Sequence, residues 1–217
     1  MNSEPGSLKA LIQARLPLLG GTTVEQIVVF SRLLNEENER QNLTRLTSPP
    51  DFVDGHLEDV IQLLATGFVE YPALDMGSGG GVPGLLAALL GAGPWILSDS
   101  EKRKAEFLET ARSALGLSNV SVVADRAENY LVTRSCNSIV ARAVGPMERI
   151  AGWLEKCSTW NTLVLLKGPK WEEEWKDLEQ GRHRGRFRIL GEHRYEVGPE
   201  KKKRVIVRLE NVPRGTT

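Results

Sequence analysis

Short apolar runs and amphipathic stretches alternate along most of this chain. From residue 71 onward, apolar runs with the length of strands fall near 72–76, 94–98, 119–124, 137–142, 161–167, 187–195 and 203–210. Segments with helical spacing lie between most of them, near 83–91, 101–115, 145–157 and 170–180, with a shorter one after Arg126. Strands alternating with helices predict a mainly parallel sheet wound on both sides. No helical pattern separates the last two strands, and Gly198-Pro199 stands where a turn would be, so these two predict an antiparallel hairpin. In the first 68 residues the only regular spacing is helical, and it is broken from Gln41 to Pro50. Leu8, Ile12 and Leu16 share a face, and Thr23-x-x-Gln26 has the form of a capping box ahead of Ile27, Phe30 and Leu34. A third helix is expected from about Asp51, with Val53, Leu57, Val60, Ile61 and Leu64 turned inward. The predicted organisation is a helical region at 1–68, too small to stand alone, packed on an α/β domain at 69–217.

One stretch breaks the alternation in an informative way. In Leu74-Asp75-Met76-Gly77-Ser78-Gly79-Gly80-Gly81-Val82-Pro83-Gly84, an apolar run stops at a glycine cluster and a proline opens the next helix. Glycine is needed where the backbone takes positive φ or approaches a ligand, and a helix start favours anionic or acceptor groups. The loop from Gly77 to Gly81 is therefore the candidate floor of a cofactor site. Gly79-x-Gly81-x-x-Gly84 has the spacing of a dinucleotide fingerprint, while Gly77-x-Gly79-x-Gly81 has that of the S-adenosylmethionine (SAM) loop in methyltransferases. Asp99 ends the next strand, about 20 residues on, where a carboxylate can hold a ribose in either cofactor. The closing antiparallel hairpin favours SAM.

Composition changes this picture little. The chain has 217 residues, 41% hydrophobic and 26% charged, which is ordinary for a globular protein. No apolar run approaches a membrane span, and the polar, acidic stretch Met1 to Gly6 does not resemble a secretory signal. Cys136 and Cys157 lack metal-ligand spacing, so no metal site is predicted and a reduced cytoplasmic setting is the simplest reading. Formal net charge is zero, so attraction to nucleic acid would rest on local runs. These are Lys102-Arg103-Lys104, the cluster Arg182-His183-Arg184 with Arg186 and Arg188, and Lys201-Lys202-Lys203-Arg204.

Taken together, these residues resemble a known family, the bacterial 16S ribosomal RNA guanine-N7 methyltransferase G family, also called glucose-inhibited division protein B. The resemblance spans about residues 33–168. Leu74 to Gly84 is similar to the family's L-D-x-G-[ST]-G-x-G-x-P-G, and Asp99-Ser100-x-Lys102-Arg103 is similar to its D-S-x-x-K-R with the basic pair shifted by one place. Arg126-Ala127-Glu128, Ala141-Arg142-Ala143 and Leu166-Lys167-Gly168 resemble family motifs after the third, fourth and fifth strands, and Asn42-Leu43-Thr44 and His56 those of its helical region. Two positions depart from the pattern: Glu37 stands where the family has Trp, and Val60 follows Asp59 where it has Ser.

The resemblance implies a Rossmann-like class I SAM-dependent methyltransferase fold, with a seven-stranded sheet and a helical N-terminal appendage. It implies methyl transfer from SAM to N7 of a guanine in a loop of 16S ribosomal RNA, in line and without a general base. It implies that Gly77, Gly79 and Val82 line the SAM loop, Asp99 holds the ribose, Ala127 and Glu128 meet the adenine, and Arg142 positions the reactants in the SAM site. RNA contacts would come from Lys102, Arg103, Arg182 and Arg184; for Lys167, phosphate contact and plain solvation remain open. His56 reads as a packed or hydrogen-bonded helix residue, and Trp171 with Trp175 as one face packed on the sheet. The partner would be 16S RNA, the small subunit or an assembly intermediate, met by a monomer in the cytoplasm. Two other readings stay open: an NAD-dependent oxidoreductase, which would need an acid/base pair drawn from His56, His183 and His193, and a non-catalytic SAM- or RNA-binding scaffold.

Overall fold

The computed structural model describes residues 6–212, so the acidic leader at 1–5 and the tail at 213–217 lie outside the described residues. Seven strands form one sheet: β1 (Ala73–Met76), β2 (Trp95–Ser98), β3 (Val120–Val123), β4 (Ser138–Arg142), β5 (Thr162–Lys167), β6 (Phe187–Val197) and β7 (Lys202–Asn211). Their order is β3-β2-β1-β4-β5-β7-β6. The first five are parallel; β7 is antiparallel to β5, and β6 to β7. All seven expected strands are present within a few residues of where their apolar runs place them.

Register decides which residues share an edge. Lys167, at the carboxyl end of β5, faces Val205 near the start of β7, and Thr162 faces Glu210. The β6–β7 turn and the run Lys201 to Arg204 therefore lie at the carboxyl edge of the parallel strands. Phe187, paired with Asn211, lies at the amino edge.

Helices α5 (Gly84–Leu89), α6 (Lys102–Ala114), α7 (Ala127–Thr133), α8 (Met147–Trp153) and α9 (Trp171–Gln180) connect the strands, a short 3-10 turn at Leu154–Lys156 extending α8. Strands buried on both faces divide the core in two. Leu97 faces a cluster with Leu85 and Leu108, whereas its neighbour Ile96 faces one with Ile150 and Trp171. Trp175 packs against the second cluster, at the helical spacing that predicts it.

The N-terminal helices are α1 (Leu8–Arg15), α2 (Gly21–Gln41), α3 (Pro49–Phe52) and α4 (Glu58–Ala65), with a π turn at Val53–Leu57 joining the last two. They bury Ile12, Ile27, Phe30 and Leu57 against the α5 and α6 side of the sheet, in one continuous cluster. Two expectations are corrected here. The Thr23-x-x-Gln26 capping box does not form: the N-cap is Gly20, Thr23 lies inside the first turn, and Gln26 Nε2 donates to the Leu115 carbonyl at 3.0 Å. The third helix starts earlier than Asp51, because Ser48 caps it and Pro49 occupies its first turn. Asn42 ends α2 in the left-handed region (φ 52°), where Asn is tolerated better than most side chains.

Candidate active site

The strand order reverses between β1 and β4, and the loops that meet there leave the carboxyl edge, where open α/β sheets bind ligands. The glycine loop is fixed by its own backbone and by two buried carboxylates. Gly77, Gly79 and Gly81 have φ of 68°, 50° and 84°, a region costly for residues with a Cβ. The Gly77 and Ser78 amides donate to the Ser98 carbonyl at 2.8 and 3.0 Å, tying the loop to β2. Asp75 Oδ2 accepts the Gly84 N–H at 2.9 Å and so joins the end of β1 to the first turn of α5. Burial pushes the Asp75 carboxyl up to about 7, against the lowering effect of that amide. A Cβ on Gly84 would lie 2.8 Å from this carboxylate and 2.5 Å from Leu97 Cδ2, so only glycine lets α5 pack this closely.

Asp99 is oriented by two amides: Oδ2 accepts from Gly79 at 2.9 Å and Oδ1 from Glu101 at 2.9 Å. With both oxygens held, the carboxylate borders a cavity of about 170 Å3. Gly77, Ser98, Ala127, Glu128, Val144 and Trp153 border it too. Four of the expected cofactor residues, Gly77, Asp99, Ala127 and Glu128, thus come together around one space. Gly79 contributes its amide to the Asp99 carboxylate. Val82 does not border the cavity; it packs with the N-terminal core, because the chain has already turned towards α5.

Arg142 departs further from its expected place. Its guanidinium does not border this cavity but points across the edge into the π turn. Nε donates to Asp59 Oδ2 at 3.0 Å, Nη1 meets His56 Nδ1 at 3.0 Å, and Nη2 donates to the Gly55 carbonyl at 2.8 Å. Asp59 Oδ1 also accepts the Tyr195 hydroxyl at 2.7 Å, so helix, strand end and hairpin converge on one carboxylate. His56 Nε2 meets Thr44 Oγ1 at 3.0 Å, and the Thr44 amide donates to Asn38 Oδ1 at 2.7 Å. Burial, and then the Arg142 charge, hold His56 down to about 3. It is therefore neutral, with Nδ1 accepting from Arg142 and Nε2–H donating to Thr44. The Asn42-Leu43-Thr44 motif enters this network through Thr44.

Between Arg142 and α8, Ala143 takes a φ of 58°. Lys167 braces the turn: its Nζ donates to the Gly145 carbonyl and to Glu174 Oε2, both at 2.7 Å, and Glu174 accepts the Met147 N–H at 3.0 Å. Lys167 is thus neither extended towards solvent nor free to reach outward. The same turn, through Ala143 and Gly145, also borders a second cavity of about 430 Å3, lined further by Arg142, Lys167, Glu174 and Arg204.

The basic runs separate by edge. Lys102 and Arg103 begin α6, directly after β2 at the carboxyl edge, and both are exposed. Arg182 and Arg184 precede β6 at the amino edge, away from both cavities; Arg182 pairs with Glu155. Asp59, Tyr195 and Arg204 stand outside the expected site residues. Arg204 ends a run of four cations and Asp59 holds the Asp place of a family pattern, while Tyr195 has no signal in the sequence. Cys136 is buried, with its thiol pushed up to about 12, so it supplies no nucleophile. Among the described residues, no group of three or more His, Cys, Asp or Glu could hold a metal ion, and no helix is long and apolar enough to cross a membrane.

Comparison with known proteins adds a family. The model of the family described as rRNA small subunit methyltransferase G matches residues 23–186. A ribosomal RNA small subunit methyltransferase G from Solibacter usitatus is 34% identical over 179 residues, covering 82% of this chain and 85% of its own. One from Rhodopirellula baltica is 37% identical over 158 residues, covering 72% and 67%. Among solved structures, a mutant of MtNAS in complex with S-adenosylmethionine has a TM-score of 0.57 at 13% identity, covering 96% of this chain and 84% of its own. A protein of the NADB-Rossmann superfamily from Streptococcus agalactiae has a TM-score of 0.50 at 20% identity, covering 72% and 69%. At these identities the two structures speak to the fold alone.

Proposed function

The chain belongs to the rRNA small subunit methyltransferase G family, and we propose that it methylates N7 of a guanine in 16S ribosomal RNA. Its cofactor is S-adenosylmethionine. The observation that carries the reading is the cavity beside the glycine loop, whose residues suit this cofactor. Asp99, with both oxygens aligned by backbone amides, has lone pairs left to accept two ribose hydroxyls. Gly77 leaves open the space that a Cβ would take against Val144, 3.1 Å from Cγ2. Ala127 and Glu128 border the same space, and backbone amides with a carboxylate suit an adenine edge.

SAM supplies an electrophilic methyl group. Guanine N7 has a lone pair and no proton, so the protein needs to align the reactants and no base need act first. The neutral, doubly bonded His56 agrees with that division of labour. In this reading Arg142 is a positioning residue. Anchored to Asp59, His56 and Gly55, it fixes the turn at Ala143–Gly145, which borders the cofactor cavity through Val144 and the larger one through Ala143 and Gly145. Gly79 and Val82 support the loop from behind. Lys102 and Arg103 are outer RNA contacts on the reacting edge, Lys167 is a brace, and Arg182 with Arg184 are distal contacts for a large substrate. The substrate is free 16S RNA, the small subunit or an assembly intermediate, and the reaction takes place in the cytoplasm.

The test is incubation of the full chain with methyl-labelled SAM and small-subunit RNA that lacks the modification. Borohydride reduction and aniline then cleave the RNA at N7-methylguanine. Label at one guanine with cleavage at that site supports the proposal. Label resistant to cleavage refutes the N7 assignment, and SAM binding without transfer to any ribosomal substrate favours a scaffold.

A further inference from the structure

Arg204 stands where three cavities meet. It borders the space of about 430 Å3 beside Arg142, one of about 510 Å3 beside Trp171 and Arg194, and one of about 210 Å3 beside Asp54 and Pro199. It is the third residue of β7, opposite Tyr195, so it lies near the reacting edge of the sheet. The other cations bordering the cavity of about 430 Å3 are committed. Arg142 makes three hydrogen bonds and Lys167 two. Arg204 differs: its Nε is buried without a hydrogen-bond partner, and it comes within only 3.9 Å of Asp59 Oδ1. That oxygen already accepts from Tyr195, and the other oxygen of Asp59 from Arg142. The buried Nε faces Asp59 and is out of reach of RNA, but the side chain is 32% exposed, and its outer fork matches a phosphate. Exposed Lys201 and Lys203 carry the positive charge on from Arg204 over the β6–β7 turn.

We propose that Arg204 binds the RNA backbone phosphate next to the target nucleotide, on a single-stranded segment that crosses the β6–β7 turn. The target base then enters the cavity of about 430 Å3 between Arg142 and Glu174. The proposal rests on the RNA methyltransferase reading and adds the surface by which the RNA arrives. With a formal net charge of zero, the chain has no global field to gather RNA. A local anchor at the mouth of the reaction cavity has to supply register, the task that phosphate contacts perform.

The experiment compares full-length wild type with Arg204→Gln, Arg204→Lys and the control Arg134→Gln, an exposed residue at the end of α7 ahead of β4, on the opposite edge and outside all these cavities. Unmethylated small subunits serve as substrate, and protein-free 16S RNA as the probe for binding. Arg204→Gln should raise KM for RNA about 10-fold and lower the slope of log K against log salt by about 1. SAM affinity by calorimetry and the melting temperature should stay close to wild type. Arg204→Lys should recover part of the RNA affinity, and Arg134→Gln should behave as wild type. A KM and salt slope for Arg204→Gln equal to wild type overturn the proposal. So does a parallel fall in SAM affinity and melting temperature, which assigns Arg204 a structural role. If wild type binds RNA but methylates none, the functional reading fails while the salt slopes still test Arg204.

Discussion

His56 and Asp75 are buried groups whose titrations pull stability in opposite directions. Burial, then the Arg142 charge, lower His56 from 6.5 to about 3, and burial raises Asp75 from 3.8 to about 7. Between pH 3.8 and 6.5 the unfolded chain holds a proton on His56 that the folded chain lacks, so this group adds stability as pH rises. Over the same interval the folded chain holds a proton on Asp75 that the unfolded chain has lost, so this group removes stability as pH rises. Each slope is about 1.4 kcal/mol per pH unit, and across the interval each amounts to ~4 kcal/mol. In the wild type the two cancel. Single variants should expose them: His56→Gln, whose amide can still accept from Arg142 and donate to Thr44, and Asp75→Asn, which can still accept from Gly84. Denaturant unfolding at half-unit steps from pH 4 to 7.5 gives difference curves against wild type that remove every other titrating group. The Asp75→Asn difference should rise with pH and the His56→Gln difference should fall, each by up to ~4 kcal/mol. Flat difference curves, or two of the same sign, would refute the assignment of these groups as buried and neutral.

Gly77→Ala places a Cβ at a φ of 68° and 3.1 Å from Val144 Cγ2. The backbone should cost about 1–2 kcal/mol, and pressure on Val144 should weaken SAM binding; adding Val144→Ala should restore binding more than stability, read by calorimetry beside thermal melts. Asp59→Ala leaves Arg142 Nε and the Tyr195 hydroxyl without their acceptor, at a position where the Asp59 side chain is only 3% exposed. The expected loss is about 3–5 kcal/mol, and a chemical-denaturation loss below 1 kcal/mol would contradict the burial of this pair. Lys167→Met removes the brace on Gly145 and Glu174; kcat for RNA methylation should fall several-fold while SAM affinity changes little, and an unchanged kcat would count against the brace.

The fold was legible because its signals are local. A buried strand needs a continuous apolar run, and Leu163 to Leu166 or Val205 to Val207 can be read without knowing their neighbours. The glycine loop was legible for the same reason, since positive φ at Gly77, Gly79 and Gly81 has to be met by residue type at those positions. The anchoring of Arg142 had no such mark. Its partners Gly55, His56 and Asp59 lie 83 to 87 residues away, and Tyr195 joins them from 136 residues beyond Asp59. Only the path of the chain brings these groups together. The π turn that presents Gly55 and His56 is equally silent, because it differs from an α-helix by one hydrogen-bond step.

The basic runs are an intermediate case, because the hairpin already implies their placement. Strand β5 and the other parallel strands end at the reacting edge. A following strand parallel to them must begin at the far edge, and its antiparallel partner must begin at the near one. Hence cations that precede β6, such as Arg182 and Arg184, emerge beside Glu155 on the side away from both cavities. Cations that open β7 emerge beside Lys167, opposite Val205. Charge density alone ranks the two runs alike; strand direction separates them. The same reasoning makes Arg204 the cation of this sheet best placed to meet an incoming strand, since the turn before it is exposed and the cavity beside it opens towards Arg142.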